Sequence, residues 1–331
     1  MTVALTGGTG FVGRHVLAQL VSEGHRVRVL VRDQGRLQNA GSGVTPVKGD
    51  LFQPNALKEL VTGADAVIHI VGIIMEKPRQ GQTFERVHTE GTKNVLAAAK
   101  KVGVKRWVQM SALGSRPDAP SRYHTSKWHA EQAVKESGIP YTIFRPSIIH
   151  GPDGEFMQMV RDFWCKAFPP FVPFFCRGTD VLDIIQIKMA MAWPFPSLKR
   201  YSAPRYVSEA PAGRLQPVLV DDVARCFVGA LTRPQTIGEV YPLGGPDAMT
   251  WQQLYITVRS HLPKARAKKV CAVPAWYAKM IAGLPGVPFN RDQVLMSQED
   301  STCDIGKVQE DFGVELASFD ASLAEYAPKL A

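Results

Sequence analysis

Behind the apolar triplet Val3-Ala4-Leu5 the chain turns through Thr6-Gly7-Gly8-Thr9-Gly10-Phe11-Val12-Gly13 and runs straight into Arg14-His15-Val16-Leu17, which has helical spacing. A strand that reverses into a helix over so few residues needs backbone freedom at the turn and room where helix and strand touch. Gly7 permits the tight turn, Gly10 removes the Cβ that would hold a ligand off the backbone, and Gly13 lets the helix settle on the strand. The helix start then presents unpaired N–H groups and the positive end of its dipole, an arrangement suited to a pyrophosphate. The spacing predicts a dinucleotide-binding loop made by Gly7, Thr9, Gly10, Phe11, Val12 and Gly13. A glycine-rich turn without a ligand is the plainer alternative.

The same alternation continues to about residue 150. Apolar runs at 3–5, 26–31, 44–47, 66–71, 107–110 and 141–144 read as six strands, and stretches at 13–23, 56–62, 83–102 and 121–137 as helices between them. Gly24, Gly63, Gly103 and Gly138 stand just past these helices, where a left-handed residue ends a helix. The fold class expected is α/β: a Rossmann-type doubly wound parallel sheet over residues 1–152, followed over 153–331 by a smaller C-terminal region that supplies substrate contacts or a lid. Landmarks of that second region are 215–231, the turn Gly244-Gly245-Pro246 and a helix start near Thr250-Trp251.

Composition narrows the partners. With 45% hydrophobic and 21% charged residues among 331, the chain has the balance of a globular protein. A net charge of +9 favours anionic ligands, but the basic residues are scattered and no reader motif is present, so nucleic acid is not an expected partner. Cys165, Cys176, Cys226, Cys271 and Cys303 are far apart and without His at metal spacing; they read as thiols in a reducing compartment, and no metal is expected. Because the first strand starts within two residues of Met1, a cytoplasmic location is expected, with the inner face of a membrane as a peripheral position.

The nucleotide's identity turns on Leu30-Val31-Arg32-Asp33. If Arg32 is the first residue past the second strand, its guanidinium takes a 2′-phosphate and favours NADP(H); a slip of one residue puts Asp33 there and favours NAD(H). NADP(H) is the preferred reading. Asp50 and Leu51, after the third strand, and Val71, at the end of the fourth, complete the expected contacts. Asp50 is read either as an acceptor for the adenine amino group or as a helix cap. Ser111 follows the fifth strand, and Tyr123 and Lys127 lie four apart near the start of a helix, sharing a face. A free tyrosine, with a pKa of about 10, is a poor base at neutral pH, and a neighbouring ammonium brings its phenolate into range. Ser111 is then placed to hold the substrate oxygen that Tyr123 protonates.

Residues 6–13, Gly49-Asp50-Leu51, 88–95, Ser111, 123–127, 145–152 and 217–224 together resemble a short-chain dehydrogenase/reductase of the extended or atypical kind, the nucleoside-diphosphate-sugar epimerase/dehydratase group. The resemblance implies Tyr123 as acid/base, Lys127 also as a ligand of the nicotinamide ribose, Ser111 as the residue that orients substrate, and Pro146 beside the nicotinamide ring. Within that group, 106–115, 121–130, 144–152 and 288–294 are most similar to the dehydrogenase-like accessory subunit of respiratory complex I and its stand-alone bacterial relatives. That likeness implies NADPH, held structurally in the complex I subunit. Two features depart from the sugar epimerases. His88 stands where they commonly have Asn, either substituting in a proton relay or packing and capping a helix. The interval of 12 residues from Ser111 to Tyr123 leaves less loop for a nucleotide sugar.

Residues 160–214 follow the pattern least. They include Phe163-Trp164-Cys165, a proline-broken run from Phe168 to Cys176 and a second apolar run at 181–195 ending in Trp193-Pro194-Phe195, and they carry eight Lys/Arg against four Asp/Glu. Neither run reaches the ~18–20 uninterrupted apolar residues that span a bilayer. Three readings stay open: a lid over an apolar substrate, a patch on a membrane surface or respiratory-complex partner, or a piece of the second region's core. The expected function is an NADP(H)-dependent oxidoreductase with a Ser-Tyr-Lys site, acting on an unidentified small molecule. A non-catalytic NADPH-binding accessory or assembly protein of a membrane respiratory complex is the alternative, and an epimerase or dehydratase the third.

Overall fold

The computed structural model describes residues 1–37, 41, 43–167, 169, 171–177, 212–284, 287 and 289–330. Most of the insertion, with the 181–195 run, lies outside the described residues, as do Phe168 and Pro170. The six strands form close to where the sequence puts them: β1 (Thr2–Thr6), β2 (Arg26–Val31), β3 (Val44–Lys48), β4 (Ala66–His69), β5 (Arg106–Met110) and β6 (Tyr141–Pro146). Helices α1 (Phe11–Ser22), α2 (Pro54–Val61), α3 (Gly91–Lys101) and α4 (Arg122–Lys135) lie between them. Gly24, Gly63, Gly103 and Gly138 take φ of 75, 70, 73 and 76°, the left-handed turn that makes each helix-to-strand joint.

The sheet has a seventh strand, Glu239–Leu243, paired with β6; its order is Glu239–Leu243, β6, β5, β4, β1, β2, β3, all parallel. Pro242 hides it in the sequence, and an edge strand is where a proline is tolerated. Strand order reverses between β1 and β4, and the glycine loop leaves β1 at that reversal, where open α/β sheets take their ligands. Period-two alternation divides β1 between two cores. Val3 and Leu5 join Val16, Leu20, Val29 and Phe227 on one face, while Ala4 joins Leu57, Leu60, Val67, Val95 and Trp107 on the other.

The unit that holds the seven-stranded sheet is discontinuous. The sequence predicts one boundary at 152, with 215–231 beyond it, but Gln216–Asp247 and Thr302–Phe319 join Met1–His150 in the same compact unit. The reason is the apolar face that α1 only partly covers: the helix Val220–Gly229 brings Val220, Val223, Ala224 and Phe227 onto it.

The second unit comprises Gly151–Leu215, Ala248–Ser301 and Asp320–Ala331. Its helix Trp251–His261 begins as the sequence predicts, in a capping box: Thr250 Oγ1 accepts from the Gln253 N–H at 3.2 Å and Gln253 Oε1 from the Thr250 N–H at 2.8 Å. The indole of Trp164, on the helix Glu155–Cys165, donates to the Tyr255 carbonyl at 3.1 Å and ties the two helices together. Strands Val172–Cys176 and Val270–Pro274 pair in parallel. No helix among the described residues is long and apolar enough to cross a membrane.

Candidate functional site

Gly7 has φ +80°, and a Cβ there would stand 3.0 Å from the Val71 nitrogen, so the loop passes hard against the exit of β4. A Cβ on Gly13 would stand 2.0 Å from the Gly7 carbonyl oxygen, which leaves α1 no room for any side chain there. Gly10 is exposed and its N–H donates to the Gly7 carbonyl at 3.0 Å. No side chain caps α1 and its first turn holds no acidic residue, so no carboxylate of that turn competes for its leading N–H groups. Thr9 and Phe11 are half-buried and Val12 is buried. This cradle fits the phosphates of a dinucleotide.

β2 ends at Val31, so Arg32 is the first residue past it, and it is exposed. The carboxylate of Asp33 closes its own turn, accepting from the Gly35 N–H at 3.0 Å. Asp50 is not a helix cap, because α2 starts at Pro54 with Gln53 before it; instead Asp50 Oδ1 accepts from the Phe52 N–H at 2.8 Å. Leu51 is buried against Gly91, and its carbonyl accepts from Asn94 Nδ2 at 3.0 Å. Pro146 ends β6, and its carbonyl accepts from the Leu113 N–H at 2.9 Å.

Ser121 starts α4 by accepting the His124 N–H at 3.2 Å, which puts Tyr123 and Lys127 on the first two turns, both buried. Lys127 Nζ donates to the Met110 carbonyl at 3.2 Å, next to Ser111 at the end of β5. On the β4 side, a Cβ on Gly72 would stand 3.1 Å from Nζ, close enough to press on the ammonium. Burial brings the Lys127 ammonium down to about 8, with the Glu131 carboxylate one turn on pulling the other way. Tyr123 departs from expectation. Burial pushes its phenol up to about 12, outweighing any attraction from Lys127, whose ammonium is turned to the β5 carbonyl. Ser115 Oγ donates to the Ala112 carbonyl at 2.8 Å, so the Ser111 hydroxyl, 3.1 Å away, donates to Ser115 and keeps its own lone pairs for a further donor.

His88 sits in a π-helical turn, Glu85–Glu90, ahead of α3, where the sequence reading has one regular helix. Its Nε2 accepts from the Ile73 N–H at 3.0 Å, so the neutral ring carries its hydrogen on Nδ1 and donates to Ser126 Oγ at 2.8 Å. Ser126 in turn donates to the Tyr123 carbonyl at 2.8 Å. Burial, then the Lys127 charge, hold His88 well below its ordinary pKa. His88 therefore ties the β4 exit turn, through Ser126, to the backbone of Tyr123.

The sequence reading missed three contributors to this site. His69, brought down to about 3 by burial and then Lys127, accepts from Thr6 Oγ1 at 2.7 Å and donates to Thr92 Oγ1 at 3.1 Å, behind the glycine loop. Nothing in the sequence marks it. Gly72 is legible only as a glycine after a strand. Glu131 was within reach, since it extends the Tyr123, Lys127 stripe by one more step of four. Fully buried, Glu131 takes two hydrogen bonds from Arg145 of β6, at 2.8 and 2.6 Å, fastening α4 to the sheet. Arg145→Met leaves that buried carboxylate without its hydrogen-bonding partner, with only the Lys127 charge nearby, and is expected to cost about 3 kcal/mol of stability, read from the urea midpoint. A loss below about 0.5 kcal/mol would mean that water replaces the guanidinium.

A family model described as NAD(P)H-binding matches residues 7–161. Residues 7–161 are thus similar to NAD(P)H-binding domains, and the fold is that of solved short-chain dehydrogenase/reductase structures. Over 98% of its length the chain superposes on 99% of an NADPH-dependent quinone oxidoreductase from Escherichia coli complexed with NADPH, with a TM-score of 0.69 and 18% identity. A ceramide reductase of Caulobacter vibrioides is 39% identical over 184 residues, 55% of this chain and 56% of the relative. The mitochondrial NADH dehydrogenase [ubiquinone] 1 alpha subcomplex subunit 9 of Arabidopsis thaliana is 28% identical over 256 residues, 75% of this chain and 54% of the relative. The chain thus spans little more than half the length of these two curated relatives. It is similar to NAD(P)H-binding proteins, some of them named as reductases.

Proposed function

We propose that this chain is an NADP(H)-dependent reductase in which Tyr123 is the acid/base, Lys127 orients the nicotinamide ribose and Ser111 positions the substrate oxygen. One observation carries the reading: the Lys127 ammonium reaches the β5 carbonyl edge beside Ser111, one helical turn past Tyr123, on the sheet whose β1 feeds the glycine loop. A bound reduced nicotinamide supplies the hydride. With its phenol at about 12 and Lys127 at about 8, neutral pH leaves Tyr123 protonated and Lys127 charged, the state that gives a proton to a carbonyl oxygen. Ser111, already donating to Ser115, accepts from the hydroxyl that forms. The test is NADPH consumption over a panel of apolar ketones and quinones; no consumption with any of them counts against turnover.

The preference for NADP rests on Arg32 as the first residue past β2 and on Asp33 being held by its own turn. Arg32→Asp is expected to weaken NADPH binding by about tenfold or more while NADH binding holds or improves. Tighter binding of NADH than of NADPH by the unaltered protein overturns the preference. The length of chain shared with the Arabidopsis subunit favours one second reading, a non-catalytic accessory protein of a membrane respiratory complex. The two separate on whether nucleotide stays bound through exhaustive dialysis without turnover.

A further inference from the structure

The helix Ala275–Ile281 of the second unit has an apolar side turned inward and another turned to solvent. On the inner side Ala278 is fully buried and packs with Phe171, Val273 and Val294. On the outer side Trp276, Met280 and, just past the helix, Leu284 are 41, 64 and 56% exposed. Steps of four bring the first two onto one side of the helix. Large apolar groups gathered on a surface mark a place that something else covers.

Along the chain, the charge on either side of them has one sign. Between Asp247 and Asp292 the chain carries seven Lys and Arg and no Asp or Glu, where 30 acids in 331 residues would place about four. Lys279 lies between Trp276 and Met280, and Lys264, Arg266 and Lys269 are exposed on the segment that enters the preceding strand, Val270–Pro274. A tryptophan, long apolar side chains and lysines on short amphipathic structure are the equipment of an interfacial helix.

We propose that this face rests on an anionic lipid bilayer, with Trp276, Met280 and Leu284 entering the boundary between headgroups and acyl chains while Lys279 and its basic neighbours meet lipid phosphates. A continuous negative surface suits a long acid-free stretch better than the mixed charges of a protein partner do. The segment is separate from the 160–214 insertion, and the inference stands apart from the proposed reaction.

The full chain should sediment with vesicles of phosphatidylglycerol and phosphatidylcholine, much less with pure phosphatidylcholine, and less as salt is raised. Met280→Glu combined with Leu284→Glu, at exposed positions, should reduce sedimentation with the mixed vesicles by roughly tenfold or more while leaving NADPH binding unchanged. Three results would overturn the proposal: no sedimentation with mixed vesicles, equal sedimentation with both kinds, or undiminished sedimentation of the double variant. Self-association of the unaltered protein that the double variant abolishes, without vesicle binding, would assign the face to a second copy instead.

Discussion

Replacing Gly13 by alanine is expected to lower NADPH affinity by about a hundredfold or more and to remove about 2–3 kcal/mol of stability. The added methyl would sit 2.0 Å from the Gly7 oxygen and 2.7 Å from the Gly7 carbonyl carbon, so α1 must lift away from the turn that it follows. Backbone, not a flexible side chain, is what it meets, and the displacement reaches the leading N–H groups of α1, the phosphate site of the proposed function. Gly24→Ala is the control. Its Cβ would enter open space, and only the φ of +75° resists it, at about 1–2 kcal/mol and with no loss of affinity. Calorimetric titration and urea unfolding separate the two outcomes. Full-affinity binding by the Gly13 variant would show that the loop does not hold the nucleotide.

Tyr123→Phe keeps the ring that packs edge-on against Phe84 and His88 and removes only the hydroxyl. Turnover is expected to fall by about a thousandfold, with NADPH binding changed by less than about twofold. The companion signature is in pH. Lys127 is a base brought down by burial, so its charge is present below about 8 and is lost above it, and turnover should decline as pH rises through that value. The same shift has the opposite sign for stability: between about 8 and the ordinary 10.5 the unfolded chain holds the extra proton, and this group's contribution grows with pH. A rate flat across that window would remove Lys127 from the chemistry.

Features that depend on local periodicity were legible. β2 runs from Arg26 to Val31 as its alternation requires, and four glycines ended their helices where spacing put them. Features that depend on distant chain were not. Glu239–Leu243 carries a proline and becomes a strand only because β6 offers it an edge. The spacing of Tyr123 and Lys127 gave their neighbourhood but not their burial, and burial decides both proton affinities. Asp50 is followed by a proline-started helix, which invites a capping reading; the turn to Phe52 took the carboxylate first.

The interleaving of the two units bears on how this protein is made. The chain passes between them five times, so no cut at one peptide bond yields both. When the first 150 residues leave a ribosome, the β6 edge still lacks its neighbour and the α1 side of the sheet lacks Val220, Val223 and Phe227. Sixty-five further residues, Gly151–Leu215, must be made before either gap can close. Through that interval an unpaired edge and an uncovered apolar face are open to other chains. Chaperone demand and loss to aggregation should therefore track synthesis of this middle stretch more closely than the stability of the finished sheet.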